Sequence, residues 1–363
     1  MIAFAQLAPV KRIRALWSLP LEVLSPRERD SLIAFLSDVF HLPNTAAFLN
    51  PDLLSWKYDE PRPDWPGSRS YAWMEQGAIT AHACLYPATY RAGDQDIAAS
   101  YLIDWAAGRR LPGAGVLLLR KLASFFPVLL AIGGSEDTLR ILPKLGYRTC
   151  GEISSYARVM RPWRQFRTDP FPRGWKGPLR LARNVLRSLE PVRSAPKDWS
   201  AQPIAAFEDS HAALLAAETP FPSTHRTPAL LNYLLRCPGA RMSAYLIHRE
   251  GRACGWFMLA RVPGVVRIAD LRVQSSEPEW WQAAYDLATQ IALADPEGCE
   301  LVAAASTPLA ADAIRNNGFR LYRSDPIFLL DPKGLLANRT PLEVSLLDSD
   351  AAYLYVPGYP YLT

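Results

Sequence analysis

The sequence predicts an α/β (α+β) chain in which one strand-rich unit with flanking helices occurs twice. Three observations lead there. Residues 97–105 form a strand-like apolar run, Arg110-Leu-Pro-Gly-Ala-Gly115 follows, and a helical apolar pattern begins at once with Val116, Leu117, Leu118, Leu119 and Leu122. Further strand-like runs at 71–74, 79–86 and 126–132 are punctuated by turn signals at Gln76-Gly77 and Gly93-Asp94. Gly133-Gly134-Ser135 then opens a helix-like stretch that ends in Leu145-Gly146-Tyr147. The third observation is that these landmarks return in the second half of the chain.

A strand, a glycine-rich turn and a helix start make an anion cradle. Glycines admit the backbone to a pyrophosphate, and the free amides of the helix start point at it. Gly113 and Gly115 stand where a side chain would block that approach. Glycine also accumulates before helices for steric reasons alone, so the turn gains meaning from its neighbours.

The repeat is read from ordered landmarks. Pro51, the Leu53-Leu54 pair, Trp56 and Pro61 are echoed by Pro228, Leu230-Leu231, Tyr233 and Pro238. Each set is followed by a strand-turn-strand pattern, around Gly77 and around Gly251, and then by a strand carrying an acid, Asp104 or Asp270. Each closes with a helix running into Leu145-Gly146-Tyr147-Arg148 or Asn317-Gly318-Phe319-Arg320. The halves differ after the acid. Beyond Asp270 no Gly-x-Gly remains, and Glu277 and Glu279 stand at the helix start. A helix dipole favours an anion by only about 1 kcal/mol, so two carboxylates defeat phosphate binding there.

At 363 residues the chain suits two domains and a linker. Its hydrophobic content is 49%, enough for filled cores, and its longest uncharged apolar run, 122–132, is too short to span a bilayer. Lys11, Arg12 and Arg14 precede no continuous apolar block, which argues against a secretory signal. Cys84, Cys150, Cys237, Cys254 and Cys299 are scattered and odd in number. With no Cys-x-x-Cys spacing, and five dispersed histidines, they point to a reducing, cytoplasmic compartment and to no metal site. Residues 161–200 hold ten basic side chains against Asp169, Glu190 and Asp198, a net +7 within a chain of net +5. This proline-bearing stretch (Pro170, Pro172, Pro178, Pro191, Pro196) reads as a linker. Inside it, 178–189 is a basic amphipathic helix candidate with Leu179, Ala182, Val185, Leu186 and Leu189 in one stripe. That stripe fits either weak contact with an anionic surface or packing on a domain with the arginines in water. Nucleic acid is not an expected partner, because no aromatic-basic interleaving accompanies the moderate pI of 8.9.

Meandering strands, then Arg110-x-x-Gly113-x-Gly115 and a helix, then strand, helix and a Gly-Tyr close, resemble the GCN5-related N-acetyltransferase (GNAT) family. The resemblance implies two tandem GNAT-like domains, each a mixed, mostly antiparallel sheet flanked by helices. The N-terminal domain would span 1–160, the linker 161–200, a degenerate second copy 201–332, and a tail 333–363. It implies acetyl-CoA or another acyl-CoA as cofactor and a small-molecule amine as acceptor. Cofactor contacts would come from Trp105, Ala106, Arg110, Leu111, Pro112, Gly113, Ala114, Gly115, Val116 and Ser135, largely through backbone amides from 108 to 116. Acyl transfer also needs a donor to polarise the thioester carbonyl, placed at the strand end near Trp105, and a general base.

Asp104 is the first choice for the base, since it lies next to the cofactor turn in partly apolar strand surroundings. Tyr101 and Tyr156 are weaker acid/base candidates. The chain departs from the family where a tyrosine often serves the leaving thiolate: Leu142 and Ile314 stand there, and Ser135 replaces a frequent asparagine. In the tail, Asp348 and Asp350 precede Tyr353, Tyr355, Tyr359 and Tyr361, with Pro357 and Pro360 among them. The acids suit a cationic ligand, a metal or a simple turn, and the tyrosines suit a sugar or packing. Besides a tandem acyltransferase, two readings stand open: a non-catalytic acyl-CoA-binding scaffold, and a tRNA-dependent peptidyl transferase of Fem-like type.

Overall fold

Alternation of apolar side chains every second residue builds a single sheet with a core on each face. The computed structural model describes residues 21–43, 45–168, 175–216, 219–356 and 361–363. Lys11, Arg12, Arg14, Asp169, Pro170, Pro172, Pro357, Tyr359 and Pro360 lie outside these.

In chain order the first half contains β1 (Glu22–Val23), α1 (Arg29–Phe40), α2 (Pro51–Leu54) running into a π-helical turn (Ser55–Asp59), β2 (Ser70–Glu75), β3 (Ala78–Ala92), β4 (Gln95–Ala107), α3 (Ala114–Leu122), β5 (Val128–Ile132), α4 (Glu136–Ile141) and β6 (Arg148–Val159). Then come α5 (Pro162–Thr168), α6 (Lys176–Ser188), β7 (Trp199–Ile204), α7 (Ala212–Leu215), β8 (Ser223–Thr224), α8 (Pro228–Leu235), β9 (Arg241–Arg249), β10 (Arg252–Val262), β11 (Val265–Val273), α9 (Pro278–Leu293), β12 (Glu300–Ala305), α10 (Pro308–Asn316) and β13 (Arg320–Leu330).

The strand order is β1-β2-β3-β4-β5-β13-β6-β12-β11-β10-β9-β7, with β8 added beside β3. Exchanging β1 through β6 for β7 and β9 through β13 reverses this order onto itself. The exchange is deepest at the centre, where β13 lies between β5 and β6, and β6 lies between β13 and β12. Each half thus inserts its last strand into the other. Among the described residues only two neighbouring strand pairs are parallel, β4 with β5 and β11 with β12.

One face of β3–β5 packs Leu85, Leu102 and Leu129 under α3 through Leu118 and Leu122. The matching face of β10–β12 packs Phe257, Leu271 and Leu301 under Trp281 of α9 and Ile314 of α10. The opposite faces of both halves meet in a shared core: Tyr101, Ile103 and Leu130 from one, Trp256, Met258 and Ala269 from the other. The repeated Pro-Leu-Leu-aromatic segments meet there. Trp56 and Tyr233 stack with centroids 5.0 Å apart, and Tyr233 Oη donates to the Trp56 carbonyl. Asn50 and Thr227 cap the two helices, each with proline at the start.

Two expected boundaries move for physical reasons. The strand expected at 79–86 runs on through Pro87 to Ala92. By Pro87 the pairing with β2 has ended, at Ser70–Cys84, so the missing N–H breaks no ladder. The helix expected to end at 145–147 is α4 followed by a 3-10 turn, Leu142–Leu145, because Pro143 cannot continue it.

Candidate active site

β4 and β5 pair only from Ala99 to Tyr101 and Val128 to Leu130, then part. Past the parting, β4 carries a bulge: Ile103 and Ala106 lie opposite Cys84 and His82, so three steps on β4 face two on β3. Asp104 takes up the extra residue in the left-handed region, φ 51°. His82 braces it. Its Nδ1 donates to the Asp104 carbonyl at 3.1 Å, and its Nε2 accepts from Ser70 Oγ at 2.9 Å. Burial pushes the His82 pKa down to about 3, so the ring is neutral and its tautomer is set by that carbonyl.

The glycine turn follows directly. Gly113 is the N-cap of α3 with φ 88°, a conformation that disfavours any side chain. A Cβ at Gly113 would meet nothing within 4 Å, whereas one at Gly115 would come within 2.9 Å of Ala107 Cβ and 3.2 Å of Trp105 Nε1. The two glycines therefore have different causes: backbone hand at Gly113, helix-to-strand packing at Gly115. Trp105 Nε1 donates to the Gly115 carbonyl at 3.0 Å and fixes the helix start on the strand. Leu117 N–H makes an i→i−4 bond to Gly113, so the Gly115 and Val116 amides lie in the first turn, ahead of that bond. Arg110, Pro112 and Gly113 are exposed, Leu111 and Val116 are half-buried, and Ala106 and Ala114 are buried behind them. Ser135 caps α4 by accepting from Thr138 N–H at 3.3 Å, and Leu142 is wholly buried.

Asp104 is not in the apolar surroundings expected of it. Its carboxylate lies 2.6 Å from Lys57 Nζ and accepts from Tyr58 Oη at 2.7 Å. Lys57 also reaches Asp350 at 2.8 Å, and its side chain is 1% exposed. Burial alone would pull the Lys57 ammonium down, but Asp104 and Asp350 together outweigh it and raise its pKa well above the ordinary value. Burial, then Asp104, raises the Tyr58 phenol. Cys84 is pushed up to about 12 by burial, with Asp104 adding to it, which leaves a thiol rather than a nucleophilic thiolate. The π-helical turn explains how Trp56, Lys57 and Tyr58, three consecutive residues, are all buried. Sequence reasoning passed over Lys57, Tyr58 and His82. The available signal was electrostatic: a buried Asp104 requires a counter-ion.

The other acid/base candidates stand elsewhere. Tyr101 is buried in the shared core with its hydroxyl bonded to that of Tyr90. Burial, with Tyr90 adding, raises its pKa well above the ordinary value. Tyr156 belongs to the core under α9 and α10, where its hydroxyl accepts from Arg315 at 3.3 Å. The structure does not bring it together with Asp104.

The second half carries a buried charged centre of its own, in a closed form. Arg226 bridges Asp270 at 2.9 Å and Asp348 at 2.8 Å, and Arg272 contacts Glu343 at 2.6 Å. Burial opposes ionisation of Asp270, yet Arg272 and Arg226 hold its carboxyl below the ordinary value. Burial raises Glu343 to about 7 against the pull of Arg272. The tail enters the cleft between β11 and β12: Ser306 Oγ donates to the Leu342 carbonyl at 2.8 Å and accepts from Val344 N–H at 2.7 Å. The cavity left there is about 20 Å³, room for one water. α9 begins with Glu277 as N-cap and Pro278 at its first position, with no left-handed glycine. The tail acids Asp348 and Asp350 thus serve the two centres in turn, and Asp348 also closes a capping turn with Ser345. Tyr353 packs edge-on against Trp56. Among the described residues no three His, Cys, Asp or Glu side chains gather into a metal site.

No protein-family model matches the chain, and no curated protein does. Solved structures do. A GCN5-related N-acetyltransferase from Anabaena variabilis ATCC 29413 is similar over 86% of this chain and 72% of its own, at 12% identity and TM-score 0.57. A GCN5-related N-acetyltransferase from Kribbella flavida is similar over 86% and 70%, at 13% identity and TM-score 0.53. Eis1 from Mycobacterium abscessus is similar over 88% and 76%, at 16% identity and TM-score 0.50. These likenesses span both halves of the sheet, and the chain has the fold of the GCN5-related N-acetyltransferases.

Proposed function

We propose that the chain is an acyl-CoA-dependent N-acyltransferase in which residues 1–160 hold the cofactor, acetyl-CoA in the simplest case, and a small polar amine is the acceptor. The observation that carries this reading is the left-handed Gly113 turn, opening α3 where β4 and β5 part. On this reading 201–332 is a degenerate second copy, 161–200 the linker, and 333–363 the tail that fills the second cleft. The reversible strand order supports descent by duplication. The free thiols support a reducing compartment such as the cytoplasm.

The bound group supplies an acyl thioester. The Gly115 and Val116 amides, with Arg110 beside them, hold its pyrophosphate charge. Backbone near Trp105, on the β4 edge that β5 leaves, polarises the thioester carbonyl. Asp104 accepts the proton of the acceptor nitrogen as the C–N bond forms and the C–S bond breaks. Lys57 and Tyr58 position its carboxylate. Leu142 offers no proton to a leaving thiolate, so solvent would have to supply it.

The test is thiol release from acetyl-CoA across a panel of amines. Asp104→Asn should keep acetyl-CoA binding and cut turnover by roughly 10²-fold or more. Unchanged turnover in that variant would remove Asp104 as base. Acetyl-CoA binding without amine-dependent release would favour the second reading, a binding protein without transfer. Leu142 and the engagement of Asp104 by Lys57 speak for that reading.

A further inference from the structure

Helix α6 is amphipathic, and it packs with its polar side inward. Asn184 is its buried residue, donating to Gln165 Oε1 at 2.9 Å, and Gln165 Nε2 donates to Thr363 Oγ1 at 2.6 Å. Arg180 Nε donates to the Thr363 carbonyl at 2.9 Å, and Thr363 in turn bonds to buried Glu300. The apolar stripe therefore faces away from the protein: Trp175, Leu179, Leu186 and Leu189 are 61–75% exposed, and Trp163 of α5 is 61% exposed. Of the eleven exposed large hydrophobic residues among those described, six lie between Trp163 and Val192. A helix that folded only for its own protein would bury those leucines and leave the asparagine in water.

We propose that α5 and α6 form a docking face for an anionic phospholipid surface. Charge selects this occupant. Lys176, Arg180, Arg183 and Arg187 line the helix with no acid between Lys176 and Ser188, and the 161–200 stretch is net +7 while the rest of the chain is net −2. Basic residues flanking a Trp/Leu stripe are the composition of helices that lie in the membrane interface. No helix among the described residues is long and apolar enough to cross a membrane, so the contact is peripheral. The stripe enters the headgroup boundary and the exposed Lys176 and Arg183 meet lipid phosphates, while Arg180 stays on Thr363. The inward polar face, tied to Thr363, keeps the helix seated on the protein.

The experiment is co-sedimentation of the full chain with vesicles of equimolar phosphatidylglycerol and phosphatidylcholine, and with phosphatidylcholine alone, at about 0.15 M salt. Binding to the anionic vesicles only is expected. Leu186→Glu/Leu189→Glu and Lys176→Glu/Arg183→Glu should each weaken it by roughly tenfold or more. All four positions are exposed, and circular dichroism should show both variants folded. Failure to bind, or equal binding to both vesicle types, overturns the proposal. So does concentration-dependent self-association that the leucine variant abolishes while vesicles are ignored, which would make a second copy of the chain the occupant.

Discussion

Lys57 is the point at which the candidate site and the stability of the fold meet. Its ammonium sits 2.6 Å from Asp104 and 2.8 Å from Asp350. Lys57→Met keeps the aliphatic length and removes the charge, leaving two carboxylates facing one another in a site closed by Phe48, Tyr58 and Tyr353. Stranding one partner of a buried ion pair costs about 3–5 kcal/mol, against a total stability of about 5–15 kcal/mol. Urea unfolding followed by tryptophan fluorescence should therefore show a loss of about 4 kcal/mol at pH 7. The sign with pH follows from which charge is stranded. Carboxylates without a counter-ion are relieved by protonation, so the deficit relative to wild type should shrink between pH 7 and pH 5. Adding Asp350→Asn to Lys57→Met should restore part of the loss. A deficit under about 1 kcal/mol, the same at both pH values, is what an exposed pair would give. It would refute the buried charge centre.

His82 gives a second pH signature. Its folded pKa of about 3 lies below the unfolded value near 6.5, so the unfolded chain binds more protons between them. Wild type should lose about 1.4 kcal/mol per pH unit as pH falls below about 6.5, and His82→Gln, compared by urea midpoints, should lack that slope. Gly115→Val forces a methyl against Ala107 and the Trp105 ring and should cost about 1–3 kcal/mol, read as a lower melting temperature. An unchanged melting temperature would mean that the helix start is free to shift. Trp56→Ala empties the stack on Tyr233 at the joint between the halves and should cost about 3–5 kcal/mol. Combined with Tyr233→Ala, it should show coupling of about 1 kcal/mol, and strict additivity would contradict the contact.

Much of this was legible in local pattern. Strands β2 to β5, the glycine turn and the Leu-Leu segments announce themselves through alternation, turn residues and repetition, all of which act over a few residues. The exchange of β6 and β13 does not, because both are ordinary strands whose choice of neighbour depends on contacts about 170 residues apart. Lys57 carries no local signal of burial, because it is the π-helical turn that brings it inward. Gly115 suggested phosphate approach, whereas the structure shows it pressed on Trp105. The stripe of α6 was visible in sequence, but its direction depends on Gln165, Asn184 and Thr363 meeting in space.

The most direct test is calorimetric titration of acetyl-CoA into wild type and Gly113→Glu. The account predicts one site per chain in wild type, placed on the first half because the second cleft holds only about 20 Å³. It predicts loss of that site in Gly113→Glu, which puts a side chain into φ 88° and a carboxylate at the cradle, with the variant still folded by circular dichroism. Two sites per chain, unchanged binding in the variant, or no binding by wild type would each contradict it.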